Sequence, residues 1–430
     1  MKGKIIRKVI MAAFLTFTCL IFGVTSVVSA EVEAGDVINS KNIDEMKDQE
    51  FEGHKIGDLL TDMVEMMIRE KGLEIELKHS EPFPVDERWV EATEKYADQV
   101  KLNPETQNIE GYVAGTPFPD VDLDDPNAAL KLAWNSQMVG GFPRGDIQWV
   151  PEFRFLFIDG DKGITREQTW TYLTAFYQGL LGEGRPHVVD ENIYKRNITV
   201  GLSPSDIAGL GTYSIRYMDG KTDDMWAYLK SVRRVRRLSG GSWMDPIGGT
   251  DMLNDEMEVL NIHPSWYKGF EVVGKRHVLA ICHSERPSFD KGSKSDLYPG
   301  IDHKTPPHWN PTDAWEPREV YELKAKLPEE HPYAEKRMYM DTQIPLLLYA
   351  EAYDHAGEMW KMIFFGMTPI KTEDGGYGIL SNTGHMIDFK RNHATIFVHP
   401  MSSTWNPAGV DLDEIDVHLL KKAAQGKMDF

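Results

Sequence analysis

Cysteine is almost missing from this 430-residue sequence, which holds only Cys19 and Cys282. Cys19 falls within an apolar leader, so the remaining chain keeps one thiol and cannot close an internal disulfide, even in an oxidising compartment. Basic charge is scarce too. Lys and Arg number 47 against 67 Asp and Glu, a formal charge of −20, and such a field repels nucleic acid and anionic bilayers. A nucleic-acid partner is therefore excluded. There is no G-x-S-x-G elbow, no H-E-x-x-H, no C-x-x-C and no Walker-type loop, so no catalytic residue is assigned. Cys282 and His283 with His303 and His308 come nearest to a metal set. Their spacing fits no zinc pattern, and neither metal nor cofactor is expected.

Long apolar runs are absent except near the start. Lys2, Lys4, Arg7 and Lys8 precede an apolar stretch from Val9 to Val28 that ends Val28-Ser29-Ala30. A charged region, an apolar region and a small-residue cleavage site in that order read as a signal peptide, residues 1–30. The apolar stretch is broken by Thr16, Thr18, Gly23, Thr25 and Ser26, which suits a removed leader better than a membrane anchor. Cys19 follows Phe17-Thr18 rather than a small residue, which argues against a lipoprotein. Cleavage after Ala30 removes four basic and no acidic residues and takes the formal charge from −20 to −24. The chain is expected in the periplasm.

With 41% hydrophobic and 10% aromatic residues, there is material for a substantial core. Residues 31–52 are acidic and aperiodic and read as a flexible N-terminus. Helical spacing follows in Leu59, Leu60, Met63, Val64, Met67 and Ile68, again from Asp86 to Lys101, and again after Asp125-Pro126. From Trp149 the period changes to two. Phe153, Phe155 and Phe157 alternate with charged residues, and Ile164 to Tyr177 returns with Trp170, Tyr172 and Phe176 on one face. These six aromatics are the candidate lining of a hydrophobic cavity, with ordinary core as the alternative. Further strands are expected at Ile193–Val200, Thr212–Met218, Met225–Leu229, Val232–Leu238, Phe270–Cys282, Val320–Leu327, Arg337–Asp341, Leu346–Tyr353 and Glu358–Phe365. Short connections require antiparallel neighbours. The reading is a β-rich α+β fold, a curved antiparallel sheet or open barrel with helices against one face. One Pro-rich stretch, 283–318, is long enough to be either a cover over a cavity mouth or a self-packed insertion.

Arg233, Arg234, Arg236 and Arg237 form a compact basic cluster in an acidic chain. They suit either a docking site for a phosphate head group or acidic partner, or internal pairing with Asp251, Asp255, Glu256 and Glu258. Their context, Trp226-Ala227-Tyr228-Leu229-Lys230 through Leu238 and then Gly248-Gly249-Thr250-Asp251, resembles the DUF1329 family, relatives of LolA-like outer-membrane lipoprotein-sorting proteins. The resemblance extends to Gly115-Thr116-Pro117-Phe118-Pro119, to Lys336–Asp341 and to Tyr353-Asp354-His355-Ala356-Gly357. It departs at Lys230, where the family has proline, and at Thr250, where it has serine. It implies one domain over residues 53–430, a LolA-like half-open β-barrel with helices packed on its concave face, holding an acyl chain or similar hydrophobe. It also implies a role as a transport accessory beside an RND-type transporter and an outer-membrane channel. A carboxylate-based hydrolase of lipids or glycans and a ligand-free envelope component are the alternatives. N-terminal sequencing of the exported protein from a membrane-free extract should begin at or near Glu31; a retained Met1 in a membrane pellet would refute the leader.

Overall fold

Alternation of side chains across extended backbone dictates the architecture, because strands with an apolar row on each face need cover on both. The computed structural model describes residues 32–139, 147–182, 186–230, 233–238, 242–371, 376–399, 404–405 and 411–427. The segment read as a signal peptide thus lies outside the described residues. Thirteen strands form the main sheet: β1 (Ile147–Asp159), β2 (Gly163–Phe176), β3 (Ile193–Ser203), β4 (Gly211–Tyr217), β5 (Asp224–Leu229), β6 (Arg234–Leu238), β7 (Gly269–Ala280), β8 (Glu316–Lys326), β9 (Glu335–Asp341), β10 (Leu347–Tyr353), β11 (Met359–Lys371), β12 (Tyr377–Asp388) and β13 (His393–Val398). A two-residue strand, Thr404–Trp405, also pairs with β1.

The order across the sheet is 6-5-4-3-2-1-13-12-11-10-9-8-7. It consists of two antiparallel meanders, each following chain order, fused where β1 pairs with β13 from His393↔Asp159 to Val398↔Arg154. The outermost strands, β6 and β7, are not paired with each other, so the sheet curves without closing. Hairpin turns sit where the sequence places them. Gly163 takes φ +83° after Asp159-Gly160-Asp161-Lys162, and Gly357 takes φ +79° with its N–H donating to the Asp354 carbonyl. Two strands, β12 and β13, extend the expected series beyond Phe365.

The helices, expected together on the concave side, divide between the two faces. Helix α1 (Asp62–Glu70) starts at Thr61, whose hydroxyl accepts from the Val64 N–H, and buries Met63, Val64, Met67 and Ile68. Helix α2 (Glu87–Tyr96) starts on the Asp86 carboxylate and buries Trp89 and Ala92. Helix α3 (Ala128–Val139) packs on β7 and on the turn at Pro264–Trp266. Helix α4 (Val417–Ala424), capped by Asp416, lays Leu419, Leu420 and Ala423 against β3, β4 and β5. Its contacts are Ile198, Val200 and Tyr213, which alternate with the residues facing the inner side. No described helix is long and apolar enough to cross a membrane.

Two further expectations change. The Pro-rich stretch 283–318 lies on the outer face, not over a cavity mouth. Trp309 and Trp315 are fully buried there, Trp315 against Phe364 with ring centroids 5.9 Å apart, and His385 Nδ1 meets the Trp309 carbonyl at 2.9 Å. Residues 32–52 are tied down rather than loose, since Val32, Ile38, Ile43, Met46 and Phe51 all enter the core. Five apolar anchors outweigh the acidic composition that suggested flexibility. Phe51→Ala should accordingly lower stability by about 3–5 kcal/mol, measurable by urea denaturation; a loss near zero would return this segment to the surface.

Candidate functional site

Alternate residues of one sheet face enclose a cavity of about 440 Å³. The floor takes Phe153 and Phe155 from β1, Trp170, Tyr172, Thr174 and Phe176 from β2, and Lys195, Asn197 and Thr199 from β3. It continues with Thr212, Ser214 and Arg216 of β4 and Met225 and Ala227 of β5. On the other side it takes Phe365 and Met367 of β11, Ile379 and Ser381 of β12, and Phe397 of β13. A bulge between Val150 and Phe153 shifts the alternation of β1, so Gln148 faces the same cavity as Phe153. Of the six aromatics singled out in the sequence, five line the cavity. Phe157 does not; it is buried in the core with the Arg166 guanidinium 5.8 Å from its ring centroid. Phe153 is the hub of the aromatic row, with Phe155, Phe397 and Tyr172 at centroid distances of 5.3, 5.1 and 5.6 Å.

The roof is a segment the sequence offered only as the context of the arginine cluster and a source of acids to pair with it. Residues 242–267 cross the mouth, contributing Trp243, Ile247, Met252, Met257, Glu258, Asn261 and Trp266 to the lining. Helix α3 backs this segment, with Trp134 edge-on to His263 at 4.9 Å and the Gln137 amide donating to the Leu260 carbonyl at 2.5 Å. On the first meander the roof is tied by Trp266 Nε1 donating to the Gly220 carbonyl at 2.8 Å. His263 Nε2 meets the Met218 carbonyl at 3.0 Å, and burial pulls the imidazole down to about 4.

On the second meander the roof is held by buried charge. Lys336 Nζ donates to the Val259 carbonyl and Lys361 Nζ to the Asp251 carbonyl, each at 2.5 Å. Asp255 accepts from the Tyr267 hydroxyl at 2.5 Å and meets His331 Nε2 at 3.2 Å; Glu256 accepts from the Tyr333 hydroxyl at 2.5 Å. Asp251 meets His393 Nδ1 at 2.6 Å and accepts from the Thr395 hydroxyl at 2.8 Å. Removing such charges from water is costly unless they are paired, and here cations from the sheet meet anions from the roof. The backbone under this latch is strained: Glu258 and Val259 take φ +53° and +69°, a region unfavourable for a β-branched residue.

The four acids weighed as partners for the arginine cluster therefore serve the roof and its lining instead. Arg233, Arg234, Arg236 and Arg237 are exposed, at and just before edge strand β6. Arg237 pairs with Asp224 and lies 5.8 Å from the Trp226 ring centroid. The cysteine and histidines near residue 283 do not converge. Cys282 is buried, His283 meets Glu316 at 2.8 Å, and His303 meets Asp296 at 2.9 Å.

The sequence profile described as "Protein of unknown function (DUF1329)" matches residues 37–413, and the chain belongs to that family. No curated protein matches it. Among solved structures it is similar to an outer membrane lipoprotein-sorting protein domain from Vibrio parahaemolyticus. That pair has 14% identity and a TM-score of 0.46, covering 68% of this chain and 98% of the other. It is also similar to a DUF1329 family protein from Desulfovibrio piger (16% identity, TM-score 0.45, covering 67% and 96%). A LolA superfamily protein from Nitrosomonas europaea follows (12% identity, TM-score 0.38, covering 68% and 98%).

The latch has a pH signature. The Asp251 carboxylate raises the His393 imidazole above its usual value, outweighing partial burial, with Asp159 and Asp388 adding to the effect. A raised folded-state value means the pair contributes fully below about pH 6.5 and loses its contribution as pH climbs through the folded value. Asp251 is itself lowered despite burial, so its share fades only in acid, well below that window. The melting-temperature gap between parent and His393→Gln should therefore be widest below about pH 6.5 and narrow as pH rises above it. A gap independent of pH would show that the contact is not ionic.

Proposed function

We propose that this DUF1329-family chain is a non-covalent carrier of a hydrophobic ligand, acting outside the cytoplasm as an accessory to envelope transport. The observation that carries the reading is the cavity, in which one aromatic row of the sheet lies under a roof latched by buried charge. A volume of about 440 Å³ falls within the range of small-molecule sites, which combine apolar walls with a few polar groups. Burying about ten methylenes contributes on the order of 8 kcal/mol before binding costs, enough for micromolar capture with release. The exposed arginines of β6 offer the docking surface such a carrier needs. An RND-type transporter and an outer-membrane channel are the partners this reading suggests.

Trp170 tests the proposal. It lines the cavity, is only partly buried, and its indole N–H donates to the Gln168 side chain at 3.0 Å. Trp170→Glu should weaken capture of a fluorescent fatty acid at least about tenfold, because a charge facing an acyl chain is costly to desolvate. It should melt well above Ile198→Glu, which puts the same charge into the fully buried contact under α4. Folded parent protein that takes up none of several long-chain lipids or hydrocarbons would defeat the carrier reading. An unfolded Trp170→Glu would make Trp170 plain core.

A further inference from the structure

The cavity is polar on one side and apolar on the other, and strand register shows where the division falls. Thr174 pairs with Asn197, Asn197 with Ser214, and Ser214 with Met225. The next row runs from Tyr172 to Thr199 and Thr212. Beneath the first meander the floor thus presents two parallel rows of hydroxyls and an amide. Beneath β1 and the second meander apolar groups dominate, Phe153, Phe155, Phe365 and Phe397 among them, against the polar Gln148, Ser381 and His399. A pure hydrocarbon would leave the polar rows facing apolar surface, which wastes their hydrogen-bonding capacity.

The charges on the polar side cancel. Arg216 is gripped by Asp223, with Nε–Oδ1 at 3.0 Å and Nη2–Oδ2 at 2.7 Å, and its Nη1 donates to Asn261 Oδ1 at 3.0 Å. Lys195 Nζ donates to the same Asn261 oxygen at 2.9 Å. Glu258 supplies the second anion of the lining, close enough to add to the upward push that burial gives the Tyr172 phenol. Two cations meet two anions, so the lining offers no excess of positive charge to a carboxylate or phosphate.

We infer that the ligand is a single-chain amphiphile whose head group carries hydroxyls or amides but no net charge. Its tail lies along the aromatic row and its head against Asn197, Ser214 and Thr212. Lining residues that are themselves exposed, Thr212 and Met257 beside the head and Gly248 beside Trp170, mark where the cavity reaches solvent. This inference rests on the carrier reading, and the experiment separates the two.

Displacement of a bound fluorescent hydrophobe from the full mature chain is measured with three competitors of equal chain length: monopalmitoylglycerol, palmitate and hexadecane. Monopalmitoylglycerol should bind at least about tenfold more tightly than either of the others, and Asn197→Leu/Ser214→Val should erase that preference by weakening the glyceride, with hexadecane bound at least as tightly as before. Hexadecane binding as tightly as the glyceride overturns the head-group assignment and leaves the carrier reading standing. Palmitate binding most tightly overturns the charge assignment in the same way. Failure of the probe to bind defeats both; a bound probe that none of the three displaces overturns the head-group assignment alone. The comparison within the parent protein stands even where the double variant does not fold.

Discussion

The ammonium of Lys336, fully buried, donates to the carbonyl of Val259 in a backbone conformation that valine rarely adopts. Around it Lys361, His331, His393, Tyr267 and Tyr333 engage the three buried acids of the roof, Asp251, Asp255 and Glu256. Without these contacts the segment crossing the mouth, which contains only short turns and no long helix or strand, is left with its apolar side chains and the hydrogen bonds to Gly220, Met218 and Gln137. The cavity exists because charged groups were moved out of water in matched pairs. Apolar packing alone would have let the roof settle onto the aromatic row.

Much of the sheet was legible because its first eleven strands carry alternating or β-favouring residues. Two antiparallel meanders, the aromatic face of β1 and β2, and the starts of α1 and α2 all follow from local pattern and capping chemistry. β12 was not legible. Ser381, Asn382, Thr383 and His385 make it look like a solvated loop, yet Asn382, Thr383 and His385 are buried. Their partners are distant polar groups of the Pro-rich stretch: the Asn382 amide donates to Ser284 Oγ and to the Arg286 carbonyl. A polar side chain satisfied from far along the chain looks the same in sequence as one facing water.

The same blindness hid the roof and half of the site. Lys336 and Lys361 occupy positions that alternation alone would give to solvent, and only the fold brings acids onto them. Aromatic lining could be read from periodicity, and so could the neighbourhood of the arginines. Phe157 was misplaced because period-two spacing says which face a residue takes and not where along that face a cavity ends. The polar rows of β3 and β4 were invisible for a related reason: threonine, serine and asparagine in a strand ordinarily mark the wet side of a sheet.

The seam between β1 and β13 joins residues about 240 positions apart in sequence, as Phe155 and Phe397 illustrate. Contacts between such distant partners form slowly, because a long loop must close before any of them is made. During synthesis β1 emerges early and waits, one side paired with β2 and the other bare, until almost the whole chain has appeared. Its aromatic row is exposed throughout that interval, which makes the nascent chain a client for chaperones and a target for self-association. The strand that completes the cavity floor is also the one that arrives last.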